Sequence, residues 1–296
     1  MRSWPSSGAM PSSAATPEAG SPGRVQLAFA APRPGGATVL TRRYATHPLA
    51  VRPAPADPGV PGQAHIIILN QGGGVLAGDA LRIEVDVGPG ATAHIGGVGA
   101  TRLHPTPGGA SRQEVALRLG DGARLEWLPD PVIPFAGSVT AQRVEVALGP
   151  GALWIGADIL AAGRQARGER FAYTSLEQSL QVTEEPSGAL LHAEAFRLEP
   201  GRRAPDGPGV MAGHAVLGTL RAVTRAVPPA ALAEALRAAL AAVPADVYAG
   251  ATALAAGAVV RVLGPALQPV ARALRAAWDA ARSLCMGVSA PEARRY

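Results

Sequence analysis

Apolar and polar positions alternate along most of the first two thirds of this chain. Leu81-Arg-Ile83-Glu-Val85-Asp-Val87 has a period of two, the mark of a strand with one covered face. The solid run Ile66-Ile67-Ile68-Leu69 reads as a buried strand. Between them lies Asn70-Gln-Gly-Gly-Gly-Val-Leu-Ala-Gly-Asp79, whose glycines give the backbone the freedom of a turn. Upstream, Val25–Phe29, Thr38–Leu40 and His47–Val51 predict short extended segments.

One phrase recurs. Val87-Gly-Pro-Gly-Ala91, Leu119-Gly-Asp-Gly-Ala123 and Leu148-Gly-Pro-Gly-Ala152 are spaced 32 and 29 residues apart, with a weaker copy at Pro186-Ser-Gly-Ala189. An alternating segment precedes and follows each copy, which predicts hairpins repeated at solenoid-like intervals. A lone hairpin is marginal, so its neighbours must stack to close a core. The fold expected is mainly β, a stacked or helical sheet built from repeated Gly-turn hairpins, with a small number of C-terminal α-helices.

The pattern changes after residue 205. Leu232, Leu236, Leu240 and Val243 recur at helical spacing between Pro229 and Pro244. From Pro265 to Met286 an apolar stripe (Leu267, Val270, Ala271, Leu274, Trp278, Ala281, Leu284) opposes an ionic one of Arg272, Arg275, Asp279 and Arg282. Ala258–Leu263 reads as a strand between the two helices. The expected division is a disordered tail over 1–23, a β-stack over 24–205, a helix-containing part over 206–290 packed on the same domain, and a short tail over 291–296.

Composition narrows the function classes. The chain has 296 residues and a formal charge of +5, and every one of its 27 basic residues is arginine. That bias, with abundant Ala, Gly and Pro, suits a GC-rich genome. The arginine clusters are short and lack interleaved aromatics, which argues against nucleic-acid binding. Cys285 is alone, so no disulfide framework is expected and a reducing cytoplasm is compatible. No secretory signal opens the sequence, and the apolar stretch Tyr248–Val260 is too short to span a bilayer. A soluble cytoplasmic protein without membrane contact is expected.

Candidate chemistry is sparse. Gly72-x-Gly74-x-x-Ala77 superficially fits a dinucleotide fingerprint, but a period-two strand follows where that motif needs a helix N-terminus. The six histidines lack zinc spacing and Gly-x-Ser-x-Gly is absent. His94 and His104 flank the bend Gly96-Gly97-Val98-Gly99 and are read as facing one another or as ordinary sheet histidines. Four carboxylates stand out: Asp79, Glu126, Asp158 and Glu169. Glu126 alternates with Leu125 and Trp127, so it faces water in a one-sided sheet. In a closed or two-layer sheet it is buried and needs Arg164, Arg167 or a metal ion.

These residues fall in ordered motifs: His65–Asp79, Gly99-Ala-Thr-Arg102, Leu125-Glu-Trp-Leu-Pro-Asp130 with Phe135, and Asp158-Ile-Leu-Ala-Ala-Gly-Arg164 with Gly168-Glu169 and Phe171. Together they resemble the UreD (UreH) urease accessory proteins, over roughly residues 24 to 290. The resemblance implies a non-enzymatic chaperone that binds apo-urease, the urease structural subunits, and that acts with UreF and, through UreF, the GTPase UreG to insert nickel. It implies no tightly bound cofactor and at most transient nickel. Candidate contacts for nickel in transit are Glu126, Asp158, Glu169 and His94, while Gly73, Gly74, Gly78, Asp79 and Arg164 are structural. Weak oxygen and imidazole ligands suit a metal that must leave again. Two departures stand out: Thr101-Arg102-Leu103-His104 replaces the family's Thr-Lys-x-Tyr, and the C-terminal residues differ from the usual ending. The enzyme alternative is a β-solenoid acting on carbohydrate, which needs paired acids on one exposed face.

Overall fold

The computed structural model describes residues 20, 22–33, 35–55 and 57–291; of the tails expected over 1–23 and 291–296, residues 1–19, 21 and 292–296 lie outside the described residues. The strands in chain order are β1 (Arg24–Ala30), β2 (Val39–Ala45), β3 (Leu49–Pro53), β4 (Ala64–Asn70), β5 (Ala80–Val87) and β6 (Thr92–Gly96). They continue with β7 (Thr101–Leu103), β8 (Ser111–Leu119), β9 (Arg124–Leu128), β10 (Val132–Pro134), β11 (Val139–Leu148) and β12 (Leu153–Ala161). Then come β13 (Ser175–Glu184), β14 (Ala189–Leu198), β15 (Val216–Val223), helix α1 (Pro229–Ala239), the hairpin β16 (Tyr248–Leu254) and β17 (Gly257–Gly264), and helix α2 (Leu267–Met286).

Two sheets face each other. One has seven strands in the order β14-β13-β11-β8-β5-β1-β2; the other has ten, with β16-β17-β15-β12-β9-β6-β4-β3 as its path and β7 and β10 beside it. The central strands of both are parallel. The fold is therefore mainly β and stacked, as the repeat implies.

The repeated phrase does not make hairpins. Val87 aligns with Leu119, and Leu119 with Leu148, in one sheet, while Ala93, Leu125 and Trp154 align in the other. Each Gly-x-Gly unit thus carries the chain from one sheet to the other. The reason lies in the turn. Ala91 N–H bonds Gly88 O, with Pro89 first and Gly90 (φ 66°) second between them. Paired-strand turns of two residues need positive φ at the first central position, which Pro89 and Pro150 forbid. A turn with only its second central residue in the left-handed region splays its flanking strands, so they enter opposite sheets.

The two glycines of the phrase do different work. Gly90, Gly122 and Gly151 take positive φ. At Gly120 and Gly149 an added Cβ would lie 2.9 Å from the corner below, so the first glycine lets successive corners stack. Ala91, Ala123 and Ala152 fill the corner interior.

Alternation then settles the core. Leu81, Ile83, Val85 and Val87 on β5 and Val115, Leu117 and Leu119 on β8 face inward against Leu125, Trp127 and Trp154. The opposite face of the ten-stranded sheet is covered by α2, which packs on β12, β15 and β17, and by α1, which packs on β16, β17 and α2. A Cβ at Gly218 or Gly264 would come within 2.7 Å of Val270, so these strands admit the helix closely. Pro229 opens α1 as the sequence predicts, but the helix ends at Ala239 rather than Val243. Gly287 at φ 73° closes α2. The ionic stripe expected on α2 is corrected at Arg282, which is fully buried, while Leu284 of the expected apolar stripe is 42% exposed. The physical cause is a pair of carboxylates beneath the helix, described next.

Candidate functional site

The residues singled out in sequence occupy four places. The first is the helix-covered face of the ten-stranded sheet, where His65, His94 and Glu126 sit side by side on β4, β6 and β9. Glu126 is 1% exposed. Its Oε1 accepts a 2.6 Å hydrogen bond from Trp278 Nε1 and its Oε2 one of 2.9 Å from Gln63 Nε2, with His94 Nδ1 at 3.4 Å. Arg282 Nε lies 3.6 Å away, and Arg282 Nη2 donates to Asp57 Oδ2 at 2.6 Å. The carboxylate is thus buried, under a helix and not between sheet layers, and its cation is Arg282, not Arg164 or Arg167.

Burial alone would push the Glu126 carboxyl up, but His94, Arg282 and Gln63 together hold it below the usual carboxylate range. His65 stacks edgewise on His94 at 4.4 Å between ring centroids, and burial followed by its neighbour's charge lowers its pKa. His94 and His104 do not meet. His104 stacks on Phe135 at 4.9 Å and places Nε2 3.4 Å from Gly73 O.

The second place is the other face of the same sheet. Asp158 on β12 pairs with Arg221 on β15, and Arg221 also bonds Glu194 across the gap to β14 of the seven-stranded sheet. His192 Nε2 lies 2.6 Å from Glu194 Oε1 and Arg261 approaches at 3.5 Å. Burial opposes the charge on Glu194, yet His192, Arg221 and Arg261 bring its pKa far down. Burial likewise opposes the charge on Arg221, and Asp158 and Glu194 outweigh it.

The third is the loop after β12. Arg164 grips Glu169 with two donors, Nε at 2.8 Å among them, and its guanidinium lies 4.1 Å from the Phe135 ring centre. Glu169 also accepts from Ala136 N–H at 3.4 Å, tying this loop to the one after β10. The Arg164 hydrogen bond is the main reason its carboxyl is held low.

The fourth is the Gly-rich turn. Asn70 Nδ2 bonds Gly74 O, and Asp79 Oδ2 accepts from Leu76 N–H, so the turn is closed from both ends. Gly73 and Gly78 both have φ 78°. A Cβ on Gly74 would lie 2.6 Å from Arg102 O. Strand β5 follows directly, so no helix end is present to hold a pyrophosphate.

Sequence reading missed Arg221, Glu194, Asp57, Gln63 and the inward role of Arg282. Arg221 carried a signal: it is the one charge in the apolar strand Val216–Val223. Asp57 carried none, because it sits in a loop whose position is set only by the fold. Among the described residues no group of three or more His, Cys, Asp or Glu side chains is placed to hold a metal ion. The acids of the outer seven-stranded face (Glu84, Asp86, Glu114, Glu145) are each paired with an arginine.

Fold and sites together define a stacked β scaffold with a helical cover, whose singled-out carboxylates are held in pairs and networks across four places. A family model described as the UreD urease accessory protein matches residues 21–295. A Streptomyces griseus protein named urease accessory protein UreD 2 is 40% identical over 290 residues, covering 93% of this chain and 95% of the relative. A urease accessory protein UreD of Haloarcula marismortui is 34% identical over 289 residues, 95% of both chains. One from an Anaeromyxobacter species is 37% identical over 247 residues, 81% of this chain and 78% of its own. The chain belongs to the UreD urease accessory protein family.

Proposed function

We propose that this protein is a maturation scaffold for urease, acting in the cytoplasm without a reaction of its own. It binds apo-urease and, with a UreF-like partner and through it a UreG-like GTPase, enables nickel to enter the urease active site. The observation that carries this reading is the family match over residues 21–295, which takes in all of the motifs from His65 to Phe171. Among the described residues, no helix is long and apolar enough to cross a membrane, which is compatible with that setting.

Nickel in this reading is cargo. The nominated contacts Glu126, Asp158, Glu169 and His94 are spread over three places, which favours passing contact over a resting site. Glu126 has its acceptor sites occupied beneath α2, so its role is to hold the helix. Asp158 and Glu169 reach water and remain the better candidates for transit. The test is deletion of the gene in a urease-positive host. Urease is then made in normal amounts but nickel-poor, and the tagged protein retrieves urease subunits with a UreF-like protein. Full nickel content in the deletion strain would eliminate the proposal.

A further inference from the structure

At the end of the stack away from the Gly-x-Gly corners, the apolar filling between the sheets gives way to polar side chains. Gln113, Gln142 and Gln178 occupy one row near the starts of β8, β11 and β13. Gln178 Nε2 donates to Gln142 Oε1 at 2.5 Å, and Gln142 Nε2 donates to Gln113 Oε1 at 2.9 Å. This amide ladder spends one donor and one acceptor per link, leaving the Gln178 oxygen without a ladder partner. It forms one wall of a cavity of about 110 Å³; the other wall includes Trp127, Trp154 and the Asp158–Arg221 pair.

One carboxylate of this cavity lacks a counter-charge. Asp130 lies against the bend after β6 so closely that a Cβ on Gly97 would sit 2.4 Å from its carboxyl group. Burial pushes its pKa up, opposed by the neighbouring Val98 N–H. No arginine or histidine among the described residues lies at ion-pair distance from Asp130. Of the three carboxylates in the cavity lining, Asp158 and Glu194 are paired with Arg221, and Glu194 also meets His192 and Arg261, so Asp130 is the one left without a cation among the described residues.

We propose that this cavity binds a small planar organic cation bearing a guanidinium or amidinium group. Asp130 answers its charge, the Trp127 ring takes its flat face, and the free amide oxygen of the ladder accepts from its edge. A cation gives Asp130 the counter-charge it lacks. A small ligand suits a cavity of this size between indoles and a row of hydrogen-bonded amides. The same group could come from a free metabolite-sized amine derivative or from an arginine side chain of another protein. Asp158, nominated above for nickel in transit, borders the same cavity, but the cation site rests on Asp130 and the amide ladder and not on the proposed role in urease maturation.

The test titrates the purified full chain with methylguanidinium, methylurea (its neutral isostere), acetate and a blocked arginine, read by calorimetry and by tryptophan fluorescence. Methylguanidinium binds at least about tenfold tighter than methylurea, acetate does not bind, and Asp130→Asn removes that preference. Gln178→Leu keeps Asp130, removes the free amide oxygen and weakens binding several-fold, so the site is still tested if Asp130→Asn misfolds. Glu145→Gln, outside the cavity, leaves affinity unchanged. Tighter binding of blocked arginine than of methylguanidinium assigns the site to a protein side chain. Equal affinity for methylguanidinium and methylurea, undiminished binding in folded Asp130→Asn, or no saturation at millimolar probe overturns the proposal.

Discussion

The two faces of the ten-stranded sheet carry buried charge in opposite ways. On the helix side, Arg282 is wholly enclosed and Glu126 nearly so, and the network closes on α2 through Trp278. On the side facing the other sheet, Arg221 is also enclosed, but its partner Asp158 keeps 30% of its side chain in contact with water and borders a cavity. An enclosed network costs desolvation and returns a fixed position for the helix it anchors. An open one keeps its groups within reach of a third party. The first therefore belongs to folding, and the second is where chemistry with another molecule is expected.

The sharpest way to break this contrast is Arg282→Met. It leaves Asp57 and Glu126 buried without a cation, a situation that costs about 3–5 kcal/mol. Denaturant unfolding measures the loss, and increased amide exchange confined to α2 and its underlying strands locates it. Arg221→Met follows at about 2–4 kcal/mol, discounted because Asp158 can rehydrate. If the two variants cost the same, the difference in enclosure has no energetic meaning. Trp278→Phe keeps most of the packing but takes the donor from Glu126, costing about 1.5–3 kcal/mol for a hydrogen bond to a charged group.

Much of this contrast was legible in the chain, though not all. Alternation in Leu81–Val87 and its repeats announced stacked strands, and Pro229 and the period of α2 announced the helices. The prolines of Gly-Pro-Gly also held the clue that the turns join two sheets, since their fixed φ excludes hairpin geometry; only the weight given to strand–turn–strand proximity hid it. Glu126 could be reduced to water or burial, but which one held depended on whether a helix covers that face. Arg282 was unreadable for the same reason: helical period places it on the ionic stripe, and the need of Asp57 and Glu126, distant in sequence, brings it inside. The Asp158–Arg221–Glu194 bridge joins three strands from two sheets, and no local pattern encodes such a meeting.

Acid sharpens the comparison from another side. His65 beside His94 has a lowered pKa, so the folded protein favours its neutral ring. The unfolded chain then binds more protons below the ordinary value of 6.5, and the stability contributed above 6.5 is lost as pH falls from there. Glu126, also lowered, contributes stability above its ordinary value of 4.5 and loses it as pH falls further. Both act in one direction but in separate windows. Unfolding free energy of the wild type declines in two stages on acidification, and His65→Gln abolishes the upper stage alone. An unchanged upper stage in that variant would place the sensitivity elsewhere.

The smallest effect is expected on the outer face of the seven-stranded sheet. Arg143 and Glu145 are paired there with more than half of each side chain exposed. Water screens such a pair and side-chain entropy opposes it, so Glu145→Ala changes stability by about 0–1 kcal/mol, less as salt is added. Neighbouring pairs along this face, Arg24 with Glu84 and Arg82 with Glu84 and Glu114, make it the natural place for a cooperative network instead. A double-mutant cycle between Glu145→Ala and Glu114→Ala separates the two cases. Additive losses leave the face as solvated pairs, with buried charge beneath α2 the principal electrostatic determinant of the fold. Coupling comparable to the loss in Arg282→Met would mean that exposed arginine ladders on this all-arginine chain hold the stack together as firmly as its enclosed networks do.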